Sequence, residues 1–211
     1  MDELRLCLVT DRSRCPDLVP AIAACVAAGL RAVQLREKDL GALELAALAR
    51  RVREVTRGGD AMLIVNDRVD VALAVGADAV QRTGASLTVA DMRAVAGARL
   101  RIGASVHSRA EALDADAAGA DFIVFGPVYD TPSKRRFGPP QGLAALEAVA
   151  AAVRVPVVAI GGVTPARVPE LMTAGAAGIA VISGILAAPS PAVATREFLE
   201  AIDKCRTDNS R

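Results

Sequence analysis

The chain has 211 residues, of which 53% are hydrophobic and only 2% aromatic, and its formal net charge is +1. This length suits one domain with a sizeable buried core. The near-neutral charge and the scarcity of aromatic side chains argue against nucleic acid or a membrane surface as the partner. The N-terminus lacks the pattern of a signal peptide, and the four cysteines have no metal-binding spacing. We therefore expect a cytoplasmic protein with free thiols.

Short β-rich segments alternate with longer amphipathic segments along the whole chain. The predicted strands are Leu4–Thr10, Ala32–Arg36, Met62–Val65, Ala79–Gln81, Leu100–Ala104, Phe122–Phe125, Val157–Ile160 and Gly178–Ile182. The predicted helices are Pro16–Ala28, Ala42–Arg57, Arg68–Val75, Val89–Val95, Ser108–Ala118, Leu143–Val153, Pro165–Thr173 and Pro191–Cys205. Continuous apolar strands of this kind are typical of a parallel sheet that is covered on both faces.

A smaller pattern, a glycine that follows a helix end and precedes a strand, repeats four times. It occurs at Ala28-Gly29, Val75-Gly76, Ala118-Gly119 and Ala174-Gly175. Glycine suits such positions because it adopts the left-handed conformation that ends a helix. Eight βα units in about 200 residues predict an α/β protein with a single (β/α)8 barrel, a TIM barrel, over residues 1–205 and a frayed tail over 206–211. The main alternative is an open doubly wound sheet, which the lack of a GxGxxG turn after the first strand disfavours.

Catalytic residues of such a barrel lie at the carboxyl ends of its strands, so the segments after the strands are the candidate site. After the second strand, alternation places Gln34, Arg36 and Lys38 on one face. One carboxamide and two cations at a barrel mouth suit a phosphate or pyrophosphate group. The alternative is a solvated charged turn.

The third and fifth strands lead into residues that suit metal binding and proton transfer. Asn66 and Asp67 offer oxygen ligands for Mg²⁺, although Asp67 could instead cap the helix that follows. His107 is the only histidine of the chain and lies at a strand end. It is a candidate for proton transfer, and a hydrogen-bonded structural histidine is the alternative.

Three further segments suit a second anion. The long segment 126–142 contains the hydroxyls of Thr131 and Ser133 and the cation of Lys134, and a segment of this length often forms a lid, a plain surface loop being the alternative. Gly161-Gly162 and Ser183-Gly184 follow the last two strands. Many barrels bind phosphate there through backbone N–H groups, whereas the alternative is a pair of tight turns.

Five of these segments, in the same order, resemble the signature segments of the thiamine phosphate synthase family. They are Leu8-Val9-Thr10-Asp11, Gln34-Leu35-Arg36-Glu37-Lys38, Asn66-Asp67-Arg68-Val69-Asp70, Gly126 through Lys134, and Ile160-Gly161-Gly162-Val163. The resemblance implies a (β/α)8 barrel and a Mg²⁺-dependent reaction of two phosphorylated small molecules. That reaction joins hydroxymethylpyrimidine pyrophosphate to a thiazole phosphate and yields thiamine phosphate and pyrophosphate. The same superfamily includes the thiazole tautomerases.

The resemblance also implies roles for individual residues. Arg36, Lys38, Asn66 and Lys134 would hold the pyrophosphate, Asp67 would bind Mg²⁺, and Gln34 and Ser105 would contact the pyrimidine. Thr131, Ser133, Gly162, Ile182 and Ser183 would hold the thiazole phosphate. The residues expected to take part in catalysis are Arg36, Lys38, Ser105, His107 and Lys134. The oligomeric state is left open, and a homo-oligomer is compatible with the sequence.

One segment departs from the family pattern. Synthases usually have a second aspartate ligand shortly after the fourth strand, but here the matching position falls on or near Ser86, and the nearest downstream acid is Asp91. Losing one anionic ligand weakens Mg²⁺ binding. The leading expectation is a synthase. The alternatives are a tautomerase, in which His107 moves a proton on the thiazole ring, and a non-catalytic barrel that binds a phosphorylated ligand.

Overall fold

The computed structural model describes residues 2–131, 135 and 138–208. Its strands are β1 Leu6–Val9, β2 Ala32–Leu35, β3 Met62–Asn66, β4 Ala79–Arg82, β5 Arg101–Val106, β6 Phe122–Phe125, β7 Val157–Ile160 and β8 Gly178–Val181. Its α-helices are α1 Leu18–Ala27, α2 Ala42–Gly58, α3 Val69–Val75, α4 Val89–Ala96, α5 Arg109–Ala117, α6 Gly142–Ala150, α7 Val168–Thr173, α8 Ser183–Leu186 and α9 Pro191–Asp208.

The eight strands form a closed parallel barrel in the order β1 to β8. Each strand pairs with the next one in the sequence, and β8 closes the ring by pairing Ala180 with Cys7 of β1. This closure confirms the predicted (β/α)8 barrel and excludes the open doubly wound sheet. Because all strands are parallel, the segments that follow them meet at one rim, which we call the mouth.

Two hydrophobic clusters divide the apolar side chains of each strand. Leu6 and Leu8 of β1 belong to the larger cluster between the barrel and its helices. Cys7 and Val9 belong to a smaller cluster with Phe122 of β6, which fills the barrel interior. The alternation along the strand therefore identifies which later side chains face the interior.

Helix ends and strand starts follow the predicted pattern. Gly29, Gly76, Gly119 and Gly175 all have positive φ angles, between 63° and 106°. At the end of the barrel opposite the mouth, Asp78 pairs with Arg53 and accepts a hydrogen bond from the Leu63 amide at 2.7 Å. Asp121 pairs with Arg93 and accepts from the Ile102 amide at 2.6 Å. Asp78 and Asp121 therefore connect the starts of β4 and β6 to the preceding strand and to the helix before that strand.

The chain ends differ from the prediction. Helix α9 continues to Asp208, so residues 206–208 are helical and not part of a frayed tail. Residues Asp2–Arg5 form a 3-10 turn, so β1 starts two residues later than predicted. All four cysteines are free, as predicted. Across the described residues, no helix combines the length and the apolarity that crossing a membrane requires.

Candidate active site

A layer of four polar side chains closes the top of the barrel interior. Gln34 Nε2 of β2 donates to Asn66 Oδ1 of β3 at 3.1 Å, and Gln81 Nε2 of β4 donates to Ser105 Oγ of β5 at 2.9 Å. Gln34, Asn66 and Gln81 are buried, and Ser105 is half-buried. These four strands are consecutive in the barrel, so the two pairs form one continuous polar patch.

The pairing within this layer determines which atoms remain for a ligand. Because Asn66 Oδ1 already accepts from Gln34, Asn66 keeps its Nδ2 donor and Gln34 keeps its Oε1 acceptor. Ser105 Oγ accepts from Gln81, so its own hydroxyl proton stays available to donate. The layer therefore presents an amide donor, a carbonyl acceptor and a hydroxyl donor to the mouth.

Gln81 was not among the predicted site residues, although the alternation of β4 could have revealed that it faces inward. Its side chain is fully buried, and among the described residues its Oε1 has no hydrogen-bond partner. A Cβ atom on neighbouring Gly103 would lie 2.3 Å from this oxygen and 2.3 Å from the Phe122 ring. Only glycine at position 103 therefore leaves room for Gln81 to reach Ser105.

The segment after β2 is held by a buried carboxylate that the sequence analysis left without a role. Glu37 Oε1 accepts from the Thr10 hydroxyl at 2.6 Å, and Glu37 Oε2 accepts from the Arg12 amide at 3.2 Å. The same hydroxyl accepts from the Arg36 amide at 2.9 Å. Glu37 thus ties the segment after β1 to the segment after β2. Arg36 itself is half-buried, and its guanidinium pairs with no carboxylate of the described residues.

A cavity of about 320 Å³ lies at the mouth between β2, β3 and the segment after β4. Its polar lining comes from Lys38, Asn66, Asp67 and Thr83, with the paired residues Glu37 and Arg68, and its apolar lining from Leu35, Leu40, Leu45 and Ala85. A cation, an amide and a carboxylate from three predicted site positions therefore meet at one opening. This arrangement is compatible with a pyrophosphate and its counterion.

Asp67 has a left-handed backbone, with φ at 68°. Its amide donates to Gln81 O at 2.9 Å, which fixes the turn after β3 to β4. Helix α3 is preceded by Arg68 and has no side-chain cap, so the alternative that Asp67 caps the helix is wrong. A non-glycine residue in this conformation is uncommon and often marks a functional position.

The residues that could supply a second metal ligand are engaged elsewhere. The Ser86 hydroxyl accepts from the Thr83 amide at 2.9 Å and lies 3.0 Å from the Thr83 hydroxyl. Asp91 belongs to the capping box of α4, where it accepts from Thr88 Oγ1 at 2.7 Å. No cluster of three or more metal-binding side chains exists within the described ranges. Mg²⁺ often binds through a single carboxylate with substrate phosphates and water, and Asp67 fits that role.

His107 is exposed at the mouth, after β5. Its Nδ1 contacts the carbonyl oxygen of Gly126, and its amide donates to Glu111 Oε2 at 2.7 Å. A carbonyl can only accept, so Nδ1 carries the proton in the neutral ring and Nε2 keeps a lone pair. His107 is thus both anchored to the backbone and able to accept a proton at Nε2.

On the other side of the mouth, a tandem glycine turn follows β7. Gly161 and Gly162 have φ angles of 100° and 64°, and a Cβ on Gly162 would lie 2.9 Å from Asp130 O. The Val128 amide donates to Ile160 O at 2.8 Å, and the Tyr129 amide donates to Gly161 O at 3.1 Å. The segment after β6 therefore packs directly on this turn.

The remaining predicted positions lie near this turn or outside the described residues. The Thr131 hydroxyl donates to Tyr129 O at 3.0 Å, so donating to a phosphate requires it to leave that carbonyl. Ile182 is half-buried and precedes the short helix α8, which the sequence analysis missed and which begins at Ser183. Ser133 and Lys134 lie outside the described residues.

The fold and the mouth define a class of protein, a (β/α)8 barrel with two cations after β2, an amide and a carboxylate after β3 and a glycine turn after β7. A family model described as "Thiamine monophosphate synthase" matches residues 6–185. This match covers most of the chain, so the chain belongs to the thiamine phosphate synthase family, a family of transferases.

Individual relatives agree with this assignment. A Geobacter sulfurreducens relative is 46% identical over 199 residues, with 93% of each chain aligned. A thiamine-phosphate synthase of Moorella thermoacetica is 40% identical over 185 residues, with 88% of each chain aligned. The structure of a Pyrococcus furiosus thiamine phosphate pyrophosphorylase superposes with a TM-score of 0.90 at 35% identity, covering 96% of this chain and 97% of that one.

Proposed function

We propose that this chain couples hydroxymethylpyrimidine pyrophosphate to a thiazole phosphate and releases thiamine phosphate and pyrophosphate. The observation that carries the proposal is the arrangement of the mouth. In a closed ring of eight strands, β2 and β3 lie opposite β6 and β7. The cationic side with Arg36 and Lys38 therefore faces the glycine turn across the polar layer, which leaves room for two anionic substrates.

The chemistry fits these residues. In a dissociative reaction the bond between the pyrimidine methylene carbon and the pyrophosphate oxygen breaks, and the oxygen keeps the electron pair. The thiazole nitrogen then donates its lone pair to that carbon. The main requirement is to stabilise the negative charge on the leaving pyrophosphate. Arg36, Lys38 and Asn66 supply hydrogen-bond donors for it. Mg²⁺, when held by Asp67, neutralises further charge on the pyrophosphate.

The polar layer supplies the complementary groups for an aminopyrimidine. Gln34 Oε1 can accept from an exocyclic amino group, and the Ser105 hydroxyl can donate to a ring nitrogen. Gly162 and Ser183 supply backbone N–H groups for the thiazole phosphate. The proposal includes Ser133 and Lys134 by family resemblance alone.

The direct test is pyrophosphate release from both substrates with the purified full chain and Mg²⁺. We expect release that requires both substrates and that stops when a chelator removes Mg²⁺. If both substrates bind in calorimetry and no pyrophosphate appears, the proposed reaction is wrong.

A second candidate function, tautomerisation of a thiazole carboxylate phosphate, is favoured by one pair of observations. The position of the second aspartate in synthases falls on or near Ser86, and His107 keeps an exposed Nε2 lone pair at the mouth. If this is the function, isomerisation proceeds without Mg²⁺, and His107→Ala slows it at least ~100-fold because it removes the proton acceptor. Unchanged isomerisation in His107→Ala would exclude the histidine from that role.

A further inference from the structure

The tandem glycine turn is bonded through both of its carbonyl groups. Gly161 O accepts from the Tyr129 amide at 3.1 Å, and Gly162 O accepts from Arg167 NH1 at 2.6 Å. In a planar trans peptide the N–H group points opposite to the carbonyl. Fixing these two carbonyls therefore also fixes the directions of the Gly162 and Val163 N–H groups, on the side away from Tyr129 and Arg167.

Arg167 is itself fixed by an aromatic contact and a short hydrogen-bond chain. Its guanidinium lies 4.3 Å from the centroid of the Tyr129 ring. The Tyr129 hydroxyl donates to Glu170 Oε1 at 2.5 Å, and Glu170 belongs to α7. Burial and the Glu170 carboxylate raise the pKa of the Tyr129 phenol, so this hydroxyl remains a protonated donor at neutral pH.

We infer that Arg167 is a positioning residue, which aims the N–H groups of the Gly161-Gly162 turn at the phosphate of the second substrate. Tyr129 links this device to the segment after β6, because the same residue contacts the turn through its amide and Arg167 through its ring. The inference rests on the proposed function for the identity of the phosphorylated substrate. It predicts that Arg167 acts on phosphate affinity through hydrogen-bond geometry as well as through its charge.

Two substitutions separate geometry from charge. Arg167→Ala should weaken thiazole phosphate binding about tenfold in calorimetry, as expected for a lost charge-assisted hydrogen bond that orders a site. Arg167→Lys keeps the charge but cannot both stack on Tyr129 and donate to Gly162 O through a planar fork, so we expect most of the loss to persist. Full recovery in Arg167→Lys would show that only the charge matters and would overturn the inference.

The controls distinguish positioning from a general structural role. Arg154→Ala removes an arginine whose side chain is 86% exposed and lies just before β7, at the end of the barrel opposite the mouth. It should leave both substrate affinities unchanged. Arg167→Ala should raise KM for the thiazole phosphate while KM for the pyrimidine pyrophosphate changes less than about twofold. Equal loss of both would indicate a general defect and would contradict the positioning role.

A measurement that does not depend on the proposed reaction completes the test. Inorganic phosphate is titrated into protein labelled with ¹⁵N-glycine, and the amide signal of Gly162 is followed by NMR. We expect a saturable shift in the wild type that Arg167→Ala reduces strongly and Arg154→Ala preserves. A wild-type Gly162 signal that does not move, or a shift that Arg167→Ala leaves intact, would overturn the inference even if the enzyme proves to be a synthase.

Discussion

Arg36→Ala and Lys38→Ala are each expected to slow pyrophosphate release at least ~100-fold, the usual effect of removing one charge-stabilising donor from a preorganised site. The two cations come from the segment after β2, which Glu37 and Thr10 hold in place. Neither Arg36 nor Lys38 is a member of the hydrophobic core clusters, so the melting temperature should change little. The measurement is single-turnover pyrophosphate release at saturating concentrations of both substrates.

A matched control separates the local role of these cations from the overall charge of the protein. Arg50→Ala removes an arginine from the exposed face of α2, the helix that follows the same segment, and should leave the rate unchanged. Arg36→Lys should recover part of the rate, since it keeps the charge but loses the bidentate geometry. A change below threefold in Arg36→Ala would mean that the pyrophosphate binds elsewhere.

Most of the barrel could be predicted because its strands are short, apolar and bounded by turn residues. Phe122–Phe125 and Val157–Ile160 have the predicted ends, and the glycines before β4 and β6 have the predicted left-handed conformation. In a parallel barrel, strand order follows chain order. Once the strands are predicted correctly, the residues that follow them can therefore be assigned to the mouth. This is why segments far apart in the sequence could be assigned to one site.

The unpredicted features depend on contacts between distant residues. The helix Ser183–Leu186 is too short for a periodic pattern to reveal it. Glu37 lies between two cations in the sequence and looks like a solvated charge, yet it is buried against Thr10. The pair of Gln81 with Ser105 and the link between Tyr129 and Glu170 each join separate βα units. Local patterns carry no signal for such pairs, so only the assembled structure could identify them.

The backbone of Asp67 determines how its role can be tested. With φ at 68°, alanine at this position would be strained by about 1 kcal/mol or more, so Asp67→Ala would mix a conformational effect with the loss of a ligand. Asparagine tolerates this conformation and removes only the charge. We therefore expect Asp67→Asn to reduce the Mg²⁺-dependent rate at least ~100-fold with an unchanged melting temperature, because Asp67 is the one carboxylate that the proposal assigns to Mg²⁺.

The assignment of a single carboxylate ligand also predicts how metal affinity responds to pyrophosphate and to a second carboxylate at position 86. With one protein carboxylate, metal affinity should depend on bound pyrophosphate, so Mn²⁺ titrated into the free protein and followed by electron paramagnetic resonance should bind weakly. Adding pyrophosphate should strengthen this binding in the wild type but much less in Asp67→Asn. Ser86→Asp should strengthen metal binding by the free protein, since hard-cation affinity rises with ligand charge. If Asp67→Asn and the wild type bind Mn²⁺ equally well when pyrophosphate is present, the Asp67 side chain is not the ligand. The main role of residue 67 would then be structural, through the hydrogen bond from its backbone amide to Gln81 O.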